Sequence, residues 1–306
     1  MNNLINIAKL IITIAIFYFI FQYINFEQLV AILAKSHGGL ILIAFIMQLA
    51  STFIAAYRWR LIMKLLVFDE SVSFYVKSYF KGSFFNQVLP GSIGGDAVRI
   101  IELTAMGYDK KDAFYGIFVD RVIGLVGLLV LVLISNFLFY GTFPVWLFQL
   151  INVVAFGGIA GFAFMMNLHR LKFLEKYKVL DLFYRLGKRL NTLYASKITL
   201  FKHIGVSVIV HIFTVLAIYF LALSVDVHLP FYVYLIAIPP IFLLTIVPIS
   251  LAGWGVREGA MVGILMLVGA VEAKVLAISI LYGILLILTA LPGAYFWIKN
   301  KKKNLI

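Results

Sequence analysis

One stretch concentrates the residues that could hold a charged ligand: Asn86-Gln-Val-Leu-Pro-Gly-Ser-Ile-Gly-Gly-Asp-Ala-Val-Arg99. Pro90 and Gly91 break a helix, since proline lacks a backbone donor and clashes with the preceding turn. Gly94 and Gly95 allow a tight turn and a close approach of ligand to backbone. Asp96 is placed to cap the helix that follows. Arg99, one turn on, is a permanent cation whose planar donors suit phosphate. A Pro-Gly turn at a membrane surface would use the same residues, with Asp96 as a simple cap, but the neighbouring apolar runs favour a buried turn. A second stretch, Pro248-Ile-Ser-Leu-Ala-Gly-Trp-Gly-Val-Arg-Glu258, repeats Pro, Ser, Gly, Val and Arg at the same offsets. There Arg257 and Glu258 sit beside Gly253 and Gly255, as a site inside the membrane or as an ion pair in an ordinary loop. Asp120-Arg121 could pair with Arg99 or Asp96, or anchor a helix at the interface. Arg58-Trp59-Arg60 reads as such an anchor. His211 reads as a cross-helix hydrogen-bonding residue.

The elements carrying these residues must be membrane helices. The 306 residues are 63% hydrophobic, with mean hydropathy +1.05. Soluble domains are about 45–50% apolar, and a bilayer core of about 30 Å takes about 20 apolar residues per helix. Apolar runs fall at 7–24, 40–57, 115–139, 146–166, 204–224, 232–249, 258–271 and 275–298. Between 74 and 106 the chain is half-apolar and too charged to face lipid. The first run lacks a small-residue cleavage pattern and is read as a retained span. The expected fold is an all-α polytopic transmembrane bundle of six to eight spans, forming one integral membrane domain over 1–306.

Twenty-six Lys and Arg stand against 13 Asp and Glu. In a soluble protein that excess would suggest nucleic acid; here it follows from the enrichment of basic residues in cytoplasmic loops. Arg58–Lys81, the 169–203 stretch and the tail from Lys299 are basic, and the alternate connections are nearly bare. Both termini are therefore expected in the cytoplasm. Within 167–203, Val179, Phe183, Leu186, Leu190 and Leu193 recur at helical spacing, as in an amphipathic helix on the cytoplasmic surface.

The two Pro-Gly stretches have matching flanks. Each follows an aromatic-rich run and precedes a full span, defining units at about 40–139 and 204–298. The charge rule runs 40–57 inward and 204–224 outward, so the units would be inverted repeats. Inverted repeats with broken helices place substrate near the midplane of transporters. Two re-entrant hairpins within six full spans are expected; eight full spans is the alternative.

At these residues the chain resembles the transmembrane region of the lysylphosphatidylglycerol synthase/flippase family, the flippase-like domain proteins. The matching stretches are Arg58-Trp59-Arg60, Asn86 with Leu89-Pro90-Gly91, Gly94-Gly95-Asp96 and Arg99, Asp120-Arg121 with Gly124, and Pro248 with Gly253 and Gly255-Val256-Arg257-Glu258. Family members commonly carry Glu where this chain has Asp120. The resemblance implies an inner-membrane protein that translocates lipid. In the best-known members a separate soluble domain adds lysine to phosphatidylglycerol, and no such domain is expected here.

The resulting expectation is a flippase or transporter for an anionic lipid or lipid-linked substrate. Arg99 and Arg257 would hold phosphate between the two motifs. Asp96, Asp120 and Glu258 would neutralise these arginines or recognise a headgroup amine. A membrane enzyme with Asp96 as base, or an accessory subunit of envelope-lipid synthesis, is the alternative. No cysteine is present, no Walker sequence suggests ATP, and no cluster has metal-ligand spacing, so neither cofactor nor metal is expected.

Overall fold

The computed structural model describes residues 26–88, 94–246 and 254–303, all organised in helices and their connections. In chain order these are α1 (Phe26–Ala34), α2 (Gly38–Leu65), α3 (Val72–Val88), α4 (Gly94–Ala105), α5 (Lys110–Leu138) and α6 (Val145–Asn167). After two short 3₁₀ turns come α7 (Lys178–Leu193), α8 (Lys197–Ser224), α9 (Phe231–Ile246), α10 (Val256–Leu265) and α11 (Glu272–Lys303). Among the described residues five helices, α2, α5, α6, α8 and α11, are long and apolar enough to cross a membrane. The expected span at 7–24 lies outside the described residues.

The half-apolar 74–106 region is two helices, α3 and α4, that pack on each other. At 1.5 Å per residue, α4 is about 18 Å long and α10 about 15 Å, against a hydrocarbon core of about 30 Å. The expected run at 258–271 is therefore too short to cross: its helix ends at Leu265, followed by a single 3₁₀ turn. This length favours two hairpins, α3–α4 and α9–α10, within a frame of long helices.

Helices α2 and α8 form the central antiparallel pair. The His37 N–H donates to the Ser224 carbonyl at one end. Ser51 donates to the Val210 carbonyl midway, and Arg58 to Ser207 further along. Lipid and side chain are equally apolar, so helices in a bilayer associate through close packing and hydrogen bonds. Two further crossings are made at glycine. A Cβ on Gly127 of α5 would lie 2.2 Å from the Ser207 Cβ of α8, and one on Gly293 of α11 would lie 2.1 Å from the Phe80 carbonyl of α3.

The amphipathic segment forms α7 as its spacing predicts, but part of its apolar side faces protein. Leu190 is fully buried against Ile62, Tyr115, Val119 and Ile123, while Leu182 and Phe183 are exposed. Arg189 pairs with Asp112 and stacks 4.1 Å over the Tyr115 ring, pinning α7 to the start of α5.

Gly127→Leu should push α5 from α8 and cost about 1–3 kcal/mol, the usual penalty of overpacking. Thermal unfolding in detergent should show a drop of several degrees. Gly157→Leu on α6, where nothing lies within 4 Å, should leave the transition in place.

Candidate functional site

The first motif draws side chains from four helices into one buried charge cluster. Asp120, on α5 and 2% exposed, bridges two arginines. Its Oδ1 accepts from Arg58 Nε of α2 at 2.9 Å, and its Oδ2 from Arg99 Nη1 of α4 at 3.4 Å. Arg99 Nη2 also donates to Asp96 Oδ1 at 2.5 Å, and Asp96 Oδ2 accepts from Arg121 of α5. Arg58 Nη1 reaches Ser207 Oγ of α8 at 3.1 Å. The Arg99 guanidinium lies 4.8 Å over the Trp59 ring and 5.0 Å over Tyr79, a favourable setting for a desolvated cation. Lys81 and Glu102 form a separate pair joining α3 to α4.

Two glycines make the cluster possible. A Cβ on Gly95 would lie 2.0 Å from the Gly82 carbonyl oxygen, so only glycine lets α4 meet α3 there. The Gly95 N–H donates to Asn86 Oδ1 at 2.8 Å across the same junction. A Cβ on Gly124, one turn beyond Asp120, would lie 3.1 Å from both terminal nitrogens of Arg58. The Gly124 carbonyl accepts from His211 Nε2 of α8 at 2.9 Å.

A cavity of about 460 Å³ opens beside this cluster. Its lining includes the polar Arg58, Asn86, Arg99, Asp120 and Arg121 and the apolar Phe118, Val122, Leu125, Leu128 and Val210. Counting 1.5 Å per residue from Lys110 or Lys197, Asp120 and Ser207 lie about 15 Å inside the basic ends of their helices. At that end Tyr194 OH lies 3.0 Å from His203 Nδ1, and burial pushes the Tyr194 phenol above its ordinary pKa.

The second motif forms its own closed cluster. Arg257 Nη2 bonds Glu258 Oε1 at 2.6 Å, and Arg257 Nε and Glu258 Oε1 share Ser279 Oγ of α11 at 3.1 and 2.9 Å. Glu258 Oε2 accepts the N–H of Gly255, whose φ of +84° suits glycine. Arg257 also lies between Trp254 and Tyr282, at 4.8 and 5.5 Å. The Tyr282 hydroxyl donates to Gln48 at 3.4 Å. Gln48 lies about 15 Å from Arg58 along α2, which places this cluster toward the opposite end of the bundle.

The structure thus gathers Asn86, Arg99, Asp120 and Arg121 at one cavity, with Gly95 bonded to Asn86 and Asp96 bonded to Arg99 and Arg121, and with Gly94 opening α4. Arg257 and Glu258 lie apart, and the cavity is not lined by the second motif. Pro90, Gly91 and Gly253 lie outside the described residues. Two sequence readings are corrected, and for Asp120-Arg121 the pairing alternative is the one observed. Asp96 is not a helix cap: it stands inside the first turn of α4, with both carboxylate oxygens held by arginines. Arg58-Trp59 is not a surface anchor: α2 runs on to Leu65, and Arg58 and Trp59 are 5% and 0% exposed. Asp120-Arg121 belongs to the cluster. Ser207 and Gly124 were missed as partners; the available signal was Gly124 one turn after Asp120 on the same helix face.

Long apolar helices, two short interrupted ones and a buried ionic cluster beside a cavity define a multi-pass membrane protein with a polar site inside the bundle. The chain belongs to the family described as the lysylphosphatidylglycerol synthase TM region, which matches residues 6–293. It is 28% identical over 116 residues to a UPF0104 membrane protein of Methanocaldococcus jannaschii. The match covers 37% of this chain and 34% of that relative, so it reaches about a third of the relative's length. The family ties the chain to membrane lipid.

Removing one partner of a buried ion pair costs about 3–5 kcal/mol, because the other charge stays desolvated. Asp120→Asn, which deprives two arginines at once, should fall in that range. Asp112→Asn removes only the half-exposed pair with Arg189 and should cost under about 1 kcal/mol. Equal unfolding transitions for the two variants would contradict the assigned role of Asp120.

Proposed function

We propose that this protein is a lipid flippase or transporter that moves an anionic lipid or lipid-linked substrate across an inner membrane, with both termini cytoplasmic. The observation that carries this reading is the cavity, whose lining combines three guanidinium groups, Arg58, Arg99 and Arg121, with apolar side chains of α5 and α8. A headgroup meets the arginines while its tail stays against Leu125 and Leu128 or in the bilayer. Ionisable side chains inside a membrane are costly and mark substrate paths by default. The cluster lies near the helix ends that carry the basic loops, so the cavity is assigned to the cytoplasmic side.

The two units act as inverted repeats in this reading, and their local chemistry supports it. In the first, an arginine on a short helix meets Asp120 on the next long helix, with Gly124 one turn later making room for Arg58. In the second, Arg257 meets Ser279, and Gly283 one turn later lies against Arg257 and Trp254. The arginine of each unit stacks against a Trp and a Tyr. The antiparallel α2–α8 pair is the frame against which the hairpins rock to alternate access. Transport then runs down a gradient or uses the membrane potential. Nothing favours Asp96 as a catalytic base, since both its oxygens already accept from guanidinium groups.

In proteoliposomes, the wild-type chain should translocate fluorescent phosphatidylglycerol faster than protein-free vesicles. Arg99→Gln should lower that rate at least ten-fold at unchanged expression and insertion. An undiminished rate in the variant, or no wild-type translocation of either this lipid or a fluorescent polyprenyl phosphoryl sugar, would reject the assignment.

A further inference from the structure

We infer that the cavity selects a lipid whose headgroup carries one phosphodiester charge and no amine; this rests on the transport reading above and narrows its substrate. The inference comes from the balance of charge and of hydrogen-bond capacity at the cluster. Three guanidinium groups, Arg58, Arg99 and Arg121, face two carboxylates, Asp96 and Asp120. The surplus is one positive charge at the cavity, where two of the three guanidinium groups are buried and the third, Arg121, is half-exposed. A single negative charge on the ligand closes that balance. A diphosphate, with two or more charges, overfills it.

Acceptors and donors are equally lopsided. Each oxygen of Asp96 and of Asp120 already accepts from a guanidinium. A headgroup amine would therefore have to share oxygens already bonded to guanidinium groups, and the surplus positive charge opposes bringing a further cation beside them. Glu258 is committed as well, to Arg257, Ser279 and the Gly255 N–H. Donors remain in surplus. A guanidinium has five N–H groups, and Arg58 and Arg99 each spend only some of theirs on the bonds above. Asn86 commits its oxygen to Gly95, leaving its amide N–H groups to offer. A phosphodiester, rich in acceptors and without a cation, fits this wall.

Shape points the same way. A volume of about 460 Å³ lies toward the small end of ligand pockets, roughly 300–1,000 Å³, so it takes a headgroup rather than a whole lipid. Arg121 and Leu125, one turn apart on α5, are both partly exposed, with the Arg121 side chain at 42%. Charged and apolar surface are thus adjacent at the cavity wall, as an amphiphile requires.

A phosphodiester of this kind can come from a glycerophospholipid or from a polyprenyl phosphoryl sugar. The test is native mass spectrometry of the full chain in phosphatidylcholine nanodiscs. It would be titrated with phosphatidylglycerol, a polyprenyl phosphoryl mannose, a polyprenyl diphosphate and lysylphosphatidylglycerol. One of the first two should bind at least ten-fold tighter than either of the last two, and the tighter one identifies the source. Arg121→Gln, which removes the surplus charge at a half-exposed position, should weaken that binding about ten-fold at an unchanged unfolding temperature. Asp96→Asn should raise diphosphate binding relative to phosphodiester about ten-fold. Wild-type binding of the diphosphate or the lysyl lipid at equal or greater strength, or no selectivity at all, would overturn the inference. Selective phosphodiester binding without translocation would instead reject the transport reading and leave this one standing.

Discussion

Arg58, Arg99 and Arg121 meet two carboxylates inside a bundle otherwise made of apolar helices, and much of the architecture follows from keeping those charges compensated. An arginine in a hydrocarbon environment is tolerated only with a partner or with water. Asp120 serves two arginines from different helices, so it holds α2, α4 and α5 in one arrangement. Asp96 repeats the device between Arg99 and Arg121. Ser207 extends it to α8 through Arg58. The helices converge on this cluster as well as on an apolar core.

That convergence sets the local sequence. Gly95 must be glycine for α4 to reach α3, and Gly124 clears the space that the Arg58 guanidinium occupies. A short α4 ends inside the bundle, so its first residues, Asp96 and Arg99, meet side chains rather than lipid. The second unit uses similar parts differently. Glu258 lies next to Arg257 in sequence, and Ser279 stands where the first unit has Asp120, so its charge is balanced within one residue pair. One unit therefore presents a surplus cation to a cavity while the other is closed and neutral. In the transport reading proposed above, this inequality would give the two units different affinities for an anion.

The long spans were legible because hydropathy depends on composition over many residues. Their ends were less so: α2 continues to Leu65 and α8 starts at Lys197, since Arg, Lys and Trp continue a helix as readily as they end a hydrophobic run. The same ambiguity hid Arg58, whose sequence neighbourhood matches an interfacial anchor; only Asp120 and Ser207, distant in the chain, show that it is buried. Asp96 looked like a cap because Asp after glycines suits that role, but its bonds to Arg121 are a tertiary fact. The separation of Arg257 from the cavity could not be read from two similar motifs, because repetition in sequence does not say which copy is open.

The central claim is that the first cluster faces a water-reachable cavity on the side of the basic loops while the second is closed. Because the chain has no cysteine, single thiols report this directly. Ser83→Cys, on the cavity wall, and Ser279→Cys, fully buried beside Arg257, would be probed with an impermeant thiol reagent from each side of oriented vesicles. The account predicts labelling of position 83 from the cytoplasmic side alone and none at position 279. An unreactive position 83, or labelling of it from the opposite side, would contradict it.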